Sequence, residues 1–194
     1  MGNSATAPSR NDYTWADFAA LDDEDKRELI DGELVDVEMP GAGHEAVVVK
    51  IIVRIEIWAQ AHGGGRVLAS SYKVRINDRR GVMPDVQYYA PANAVRLPRP
   101  GLVDGRPDMV VEVISPSGRR IDRVRKLQWY ADRAVPEYWL IDPEHRTFEQ
   151  LVFADGRYSI AQALADDDVF RPASWPGLEI RLADLWAAAA ATGE

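Results

Sequence analysis

The chain has 194 residues, which is long enough for one domain with its own hydrophobic core. Hydrophobic residues make up 46% of it and charged residues 28%, a balance typical of soluble globular proteins. The absence of cysteine excludes disulfide bonds, thiolate metal sites and cysteine nucleophiles. The net charge of -8 counts against a protein that binds nucleic acid by overall electrostatic attraction, although a local basic groove is compatible with it.

The sequence shows no membrane or export signal. No apolar run approaches the length of a bilayer span, and the polar start MGNSATAPSRND has no hydrophobic signal-peptide core. These observations predict a cytoplasmic protein without a membrane partner. We expect residues 1–11 to form a disordered tail and residues 12–194 a single domain, because no repeat, low-complexity block or linker divides them.

Hydrophobic periodicity and the proline and glycine breaks predict the elements in chain order. We expect helices at 13–29, 44–61 and 118–134, the last with Ser117 as its N-cap, and a long exposed loop at 91–107. The predicted strands are 34–39, 66–76, 82–90, 109–114, 137–141, 147–153 and 157–161, with a short strand and a helical turn in LEIRLADLW. This order predicts an α/β fold of the α+β kind, with a central mixed sheet flanked by helices.

Two carboxylates stand in apolar segments of the sequence. Asp85 follows Pro84 in GVMPDVQYYA, and Glu112 lies in PDMVVEVISPS. Strand alternation puts Glu112 on the same face as Val110 and Ile114, so its carboxylate should be paired, protonated or bound to metal. A shared divalent cation is one explanation for the two carboxylates, and an ion pair of each with one of the many arginines is the other.

These segments resemble a known nuclease superfamily. Pro84-Asp85 followed by Glu112-Val113-Ile114 resembles the PD-(D/E)XK motif, and the chain from about 28 to 186 resembles the Uma2-like restriction endonuclease family, also called DUF820. The matching segments are ELIDGELV, the helix start at His44, MPDVQYY, VVEVISPS, DRVRKLQWYADRAVPEYWLID and PGLEIRLADLW. The resemblance implies a restriction-endonuclease-like core and an endonuclease that hydrolyses nucleic-acid phosphodiester bonds, with DNA ahead of RNA as substrate.

The resemblance also implies roles for individual residues. Asp85 and Glu112 would bind Mg²⁺ or Mn²⁺, with the backbone carbonyl of Val113 as a third ligand. Glu33, in the turn that enters the first predicted strand, would stand for the early acid of the superfamily and help to bind a second metal or a metal-bound water. The alternative for Glu33 is an ordinary turn glutamate.

One position departs from the superfamily pattern, because Ile114 occupies the place of its strand lysine. The Uma2-like pattern offers Lys126 on the following helix instead, where it would neutralise charge in the transition state. Helical spacing puts Asp122 and Tyr130 on the face of Lys126, and both are candidate accessory residues, as is His44 at its helix start. The alternative is a solvated helix face with an Asp122–Lys126 pair.

Two other functions stay open at this point. A catalytically weakened oligomeric scaffold or regulatory protein would explain the missing strand lysine and the acidic net charge. A metal-dependent hydrolase of another phosphate ester would use the same residues. The apolar strands after Ile141 predict a homodimer or a higher homo-oligomer.

Overall fold

The computed structural model describes residues 12–22, 24–37, 39–69, 72–94, 105–115 and 121–191, and for residues 121–123 it describes the backbone only. The helices are α1 (Trp15–Ala19), α2 (Ala42–Ala61), α3 (Pro91–Ala94), a π-helix (Ile121–Lys126) that continues into α4 (Leu127–Asp132), and α5 (Leu182–Ala190). The strands are β1 (Arg27–Ile30), β2 (Glu33–Asp36), β3 (Arg66–Ala69), β4 (Val74–Asn77), β5 (Arg80–Val82), β6 (Val86–Tyr89), β7 (Met109–Val113), β8 (Glu137–Asp142), β9 (Thr147–Ala154), β10 (Arg157–Ala165), β11 (Val169–Phe170) and β12 (Ile180–Arg181).

A six-stranded mixed sheet forms the centre of the fold. Its strand order is β10-β9-β8-β7-β6-β3, with β7 and β8 parallel and the other neighbours antiparallel. Helices α2 and α5 cover one face, where they share a hydrophobic core with the side chains of Met109, Val111 and Val113. The predicted mixed sheet flanked by helices is therefore confirmed.

The opposite face of the central sheet has a different cover. A second core there joins Val110 and Ile114 of the β7 segment to Trp129 and Tyr130 of α4 and to residues of a smaller four-stranded sheet, β2-β1-β5-β4. The alternation predicted for residues 108–114 is therefore confirmed, because Val110 and Ile114 lie on one side of the sheet and their odd-numbered neighbours on the other. The side chain of Glu112 lies on the same side of the sheet as Val110 and Ile114, within the second core.

The small sheet begins with a hairpin that the sequence prediction did not contain. The predicted helix at 13–29 is wrong beyond Ala19, because residues 27–30 pair antiparallel with β2 around an Asp31-Gly32 turn with positive φ at both residues. Leu29 is fully buried and stands opposite Gly81 on β5. A Cβ on Gly81 would lie 2.6 Å from the ring of Phe18, so the close approach of α1 to this sheet requires glycine.

Two segments predicted as single strands are divided between the sheets. The predicted strand 66–76 becomes β3 in the central sheet and β4 in the small sheet, and 82–90 becomes β5 and β6 in the same way. The chain therefore crosses between the sheets at 83–85, where Pro84 cannot donate a ladder hydrogen bond. Asp85 lies in this crossover, directly before β6, and not within a strand.

The remaining predicted elements agree with the structure to different extents. The helix at 44–61 is confirmed as α2, and the strands at 137–141, 147–153 and 157–161 are confirmed as β8, β9 and β10. The tail 1–11, the N-cap Ser117 and most of the loop 91–107 lie outside the described residues. No helix in the described part of the chain is both long and apolar enough to cross a bilayer.

Candidate active site

The carboxylate of Glu112 lies inside the second core with two donors around it. The Tyr130 hydroxyl donates to its Oε1 at 2.5 Å, and the ammonium of Lys126 is 3.1 Å from each of its two oxygens. Burial first, and then the charge of Glu112, raise the pKa of Tyr130 well above its ordinary value, so this hydroxyl keeps its proton. Glu112 is therefore paired, which is what its place among apolar neighbours required.

The helical segment after β7 turns Lys126 and Tyr130 inward. Lys126 is only 7% exposed and Tyr130 is fully buried, whereas Val124 is 64% exposed. Residues four apart share a helix face, and the face with Lys126 and Tyr130 packs onto β7. The alternative of a solvated helix face is therefore wrong. The side chain of Asp122 lies outside the described residues.

Glu28 of β1 adds a second buried carboxylate to the cluster. Its Oε1 lies 3.5 Å from the ammonium of Lys126 and accepts a hydrogen bond of 2.9 Å from the backbone N–H of Met83. The Lys126 ammonium thus lies between Glu28 and Glu112. Two carboxylates therefore share one ammonium in this cluster.

Glu33 does not join this cluster. It is the first residue of β2, stands opposite Ile30 across the hairpin, and lines a surface pocket. The other residues of that pocket are Tyr13, Arg27, Leu34 and Asp36.

Sequence reasoning missed Glu28 because the segment around it was predicted as helix. The Asp31-Gly32 pair between the short runs RELI and ELVD is the hairpin signal that would have found it. As part of a strand, Glu28 shares a face with Ile30 and is another carboxylate beside an apolar neighbour.

Asp85 forms the second half of the site together with His44. Its Oδ2 accepts a hydrogen bond of 2.8 Å from the backbone N–H of Val113 and lies 3.3 Å from His44 Nε2. The same nitrogen of His44 is 2.9 Å from the carbonyl oxygen of Val113. Since both neighbours of Nε2 accept, this nitrogen carries the proton. Burial by itself lowers the pKa of His44, but its hydrogen bond to Asp85 and the charge of Asp85 raise the pKa overall.

Val113, the last residue of β7, links the two halves of the site. Because Glu112 and Val113 are consecutive in β7, the Glu112 carboxylate and the Val113 carbonyl leave the same strand end, which the crossover at Asp85 adjoins. Asp85 uses only Oδ2 for the contacts above, so Oδ1 has no partner among the described residues. The structure thus brings the strand end, Asp85 and His44 together.

The available donors fit a hard divalent cation. Carboxylate oxygens of Asp85 and Glu112 and a backbone carbonyl are the ligands that Mg²⁺ and Mn²⁺ prefer. In the ranges that the structure describes, no three His, Cys, Asp or Glu side chains group as a ready metal site. An ion held by two carboxylates would therefore complete its shell with the carbonyl, waters or a substrate oxygen, as magnesium usually does.

Comparisons with known proteins identify the fold and the family. The fold matches the crystal structure of a protein from Anabaena variabilis ATCC 29413 described as a putative nuclease belonging to DUF820, with a TM-score of 0.73 and 18% identity over 91% of this chain and 98% of that one. A comparison with curated proteins found no match to the sequence. Residues 15–183 match the family model Uma2, described as "Putative restriction endonuclease". Because the match covers most of its length, the chain belongs to the Uma2 family.

Proposed function

We propose that this protein is an endonuclease that uses Mg²⁺ or Mn²⁺ to hydrolyse phosphodiester bonds in DNA. The observation that carries the proposal is the buried ammonium of Lys126, placed 3.1 Å from Glu112 and 3.5 Å from Glu28. A buried lysine with two acids is costly to keep for stability alone, and buried charge clusters of this kind are functional-site candidates. Membership of the Uma2 family supports the same reaction class.

Asp85, Glu112 and the Val113 carbonyl are the residues proposed to hold the ion. When bound, the ion would supply a Lewis acid for the phosphate oxygen and a water of lowered pKa. His44 would keep Asp85 and the Val113 carbonyl in place through its Nε2 proton. Loss of a hydrogen bond that orients a metal ligand typically costs about 10–100-fold in metal affinity or activity.

Lys126 is proposed to do the work of the lysine that the strand lacks. Ile114 occupies the lysine position of the superfamily motif. Its side chain is uncharged and buried in the second core. From the neighbouring helix, the Lys126 ammonium orients the Glu112 carboxylate and can neutralise charge that develops on the phosphate. We assign to Glu28 the role of the early acid that was expected of Glu33, because the Glu28 carboxylate contacts the Lys126 ammonium on the side away from Glu112.

Tyr130 is proposed as a positioning residue for Glu112. Its hydroxyl is buried, and burial together with the charge of Glu112 raises the pKa of Tyr130 well above its ordinary value, so the hydroxyl serves as a donor to Glu112 Oε1. Asp122 remains a prediction as an accessory residue.

Cleavage assays with two lysine variants test the proposal. Plasmid DNA, single-stranded DNA and RNA are incubated with the protein in Mg²⁺, in Mn²⁺ and in EDTA. We expect the parent to cut DNA only with the ion, and Lys126→Met to lose at least about 100-fold in rate. Lys73→Met is the matched control, because Lys73 is also buried but donates to the Leu21 carbonyl and faces the Phe18 ring.

The same variants separate the proposal from its alternatives. If Lys126→Met cut as fast as the parent, the assigned role of the lysine would be wrong. If the parent bound Mn²⁺ in calorimetry, hydrolysed small phosphate esters and cut no polymer, the phosphate-ester hydrolase would replace the endonuclease. If it neither bound Mn²⁺ nor cut any substrate, the weakened scaffold would be the better account.

A further inference from the structure

Helix α2 carries a line of apolar side chains on its outer face. Val49, Val53 and Ile57 are 56%, 47% and 61% exposed and follow one another at four-residue spacing. The inner face of the same helix is fully used, since Val47, Ile51 and Ile55 are buried in the first core. Side chains four apart form a continuous ridge along a helix, which is the surface that helices use to pack on one another.

This ridge differs from the other exposed apolar side chains. Among the described residues the remaining large ones are Val37, Met39, Val124 and Ile160, which lie in three other segments of the chain. Only Val37 and Met39 are close in sequence to each other. Scattered single residues of this kind are ordinary, whereas a contiguous apolar strip on a soluble domain marks a contact surface.

The two flanks of the ridge carry opposite charges. At 100° per residue, Glu45 and Glu56 lie on one side of Val53, and Lys50 and Arg54 lie on the other. All four are exposed, and Arg54 also lies 3.3 Å from Asp184 of α5. The ridge thus has one acidic flank and one basic flank, so the surface can be complementary to itself.

We propose that a second copy of this chain binds to this ridge, with the two α2 helices running in the same direction about a two-fold axis. In that arrangement the acidic flank of each helix faces the basic flank of the other, as in parallel helix pairs. Helices running in opposite directions would bring acidic flank to acidic flank and basic to basic. For a chain with a net charge of -8, the parallel arrangement brings two copies together with the least repulsion.

The direction of the helices determines where the two candidate sites lie. His44 is in the first turn of α2, so parallel helices place both His44 residues at the same end of the dimer. If the proposed nuclease function holds, both sites then face the same side of the dimer. The dimer itself does not depend on that function, and its test needs no activity.

Disulfide cross-linking tests the surface and the direction together, because the natural chain has no cysteine. Single variants Val49→Cys, Val53→Cys and Ile57→Cys are oxidised and examined on non-reducing gels. In a parallel pair each ridge residue lies beside the same residue of the second copy. Val49→Cys and Val53→Cys should therefore each form a covalent homodimer. Val124→Cys and Ile160→Cys are controls of similar exposure on other elements, and they should stay monomeric.

Three outcomes would overturn the proposal. Faster cross-linking by Ile160→Cys or Val124→Cys would place the contact elsewhere. A covalent pair formed only when Val49→Cys and Ile57→Cys are mixed would show helices running in opposite directions. If the parent protein sedimented as a monomer at about 100 μM and no cysteine variant formed a cross-link, the proposed dimer would be wrong. In the expected case, Val53→Glu raises the dimer dissociation constant by at least about tenfold, and Val124→Glu leaves it unchanged.

Discussion

Glu112 and Glu137 are two buried carboxylates on neighbouring parallel strands with very different surroundings. Glu112 is 3% exposed near the end of β7, and Glu137 is 5% exposed at the start of β8. The oxygens of Glu137 accept from the indole N–H groups of Trp139 and Trp175, the amide of Gln150 and the hydroxyl of Ser174, at 2.5 to 2.9 Å. All four partners are neutral.

The difference shows that burial alone does not mark a functional carboxylate. Glu137 has its hydrogen-bonding capacity filled by four donors, and these donors tie the segment around Trp175 to the central sheet. Glu112 instead faces an ammonium that a second acid shares, and Oδ1 of the neighbouring Asp85 has no partner in the part of the chain that the structure describes. The first arrangement surrounds a carboxylate with neutral donors, and the second sets two carboxylates around one ammonium.

The largest difference expected between Glu112 and Glu137 is in their contribution to the free energy of unfolding. Glu137→Ala should lower the free energy of unfolding by about 3–5 kcal/mol, because four buried donors lose their acceptor at once. Glu112→Ala should cost less, about 1–3 kcal/mol, since Lys126 keeps Glu28 as a partner.

Urea unfolding of both variants measures the difference, and Glu24→Ala at an exposed position serves as the control, with a change within about 0.5 kcal/mol. An equal loss for Glu112→Ala and Glu137→Ala would contradict the view that the two carboxylates are held differently.

A smaller effect should appear in the pH dependence of stability. Asp85 raises the pKa of His44 above its ordinary value of 6.5 against the lowering effect of burial. Protonated His44 therefore contributes stability in full below pH 6.5, and this contribution is lost as the pH rises through the raised pKa.

The measurement compares the parent with His44→Gln by urea unfolding in EDTA. The stability advantage of the parent should be larger at about pH 6 than at about pH 8.5. An advantage that grows with pH would show that Asp85 does not stabilise the protonated imidazole.

The parts of the fold that follow from periodicity were predictable from the sequence. The helix around Val47 and Ile51 and the alternation through Glu112 depend on local side-chain spacing, and both are confirmed. The division of 66–76 and 82–90 between two sheets was not predicted, because it depends on which strand pairs with which, and pairing is a long-range property.

The site was predictable from two sources, the apolar surroundings of its carboxylates and the resemblance to the Uma2-like family. Asp85, Glu112, Lys126, Tyr130 and His44 were named from the sequence, and the structure places them around one strand end. Glu28 was missed because the chain around it has a charged, helix-like composition, and only pairing with β2 and β5 makes it a strand. Whether Lys126 pointed inward was also undecided, since helical spacing shows which residues share a face but not which face is buried.

Cleavage of duplex DNA by Glu112→Gln and Glu137→Gln in Mg²⁺ tests the central claim most directly. Circular dichroism first establishes that both variants are folded, so that rates are compared per folded molecule. We predict that Glu112→Gln loses at least about 1,000-fold in rate and that Glu137→Gln stays close to the parent. Cleavage by folded Glu112→Gln at the parental rate would contradict the account, because the buried carboxylate beside Lys126 would then have no part in the reaction.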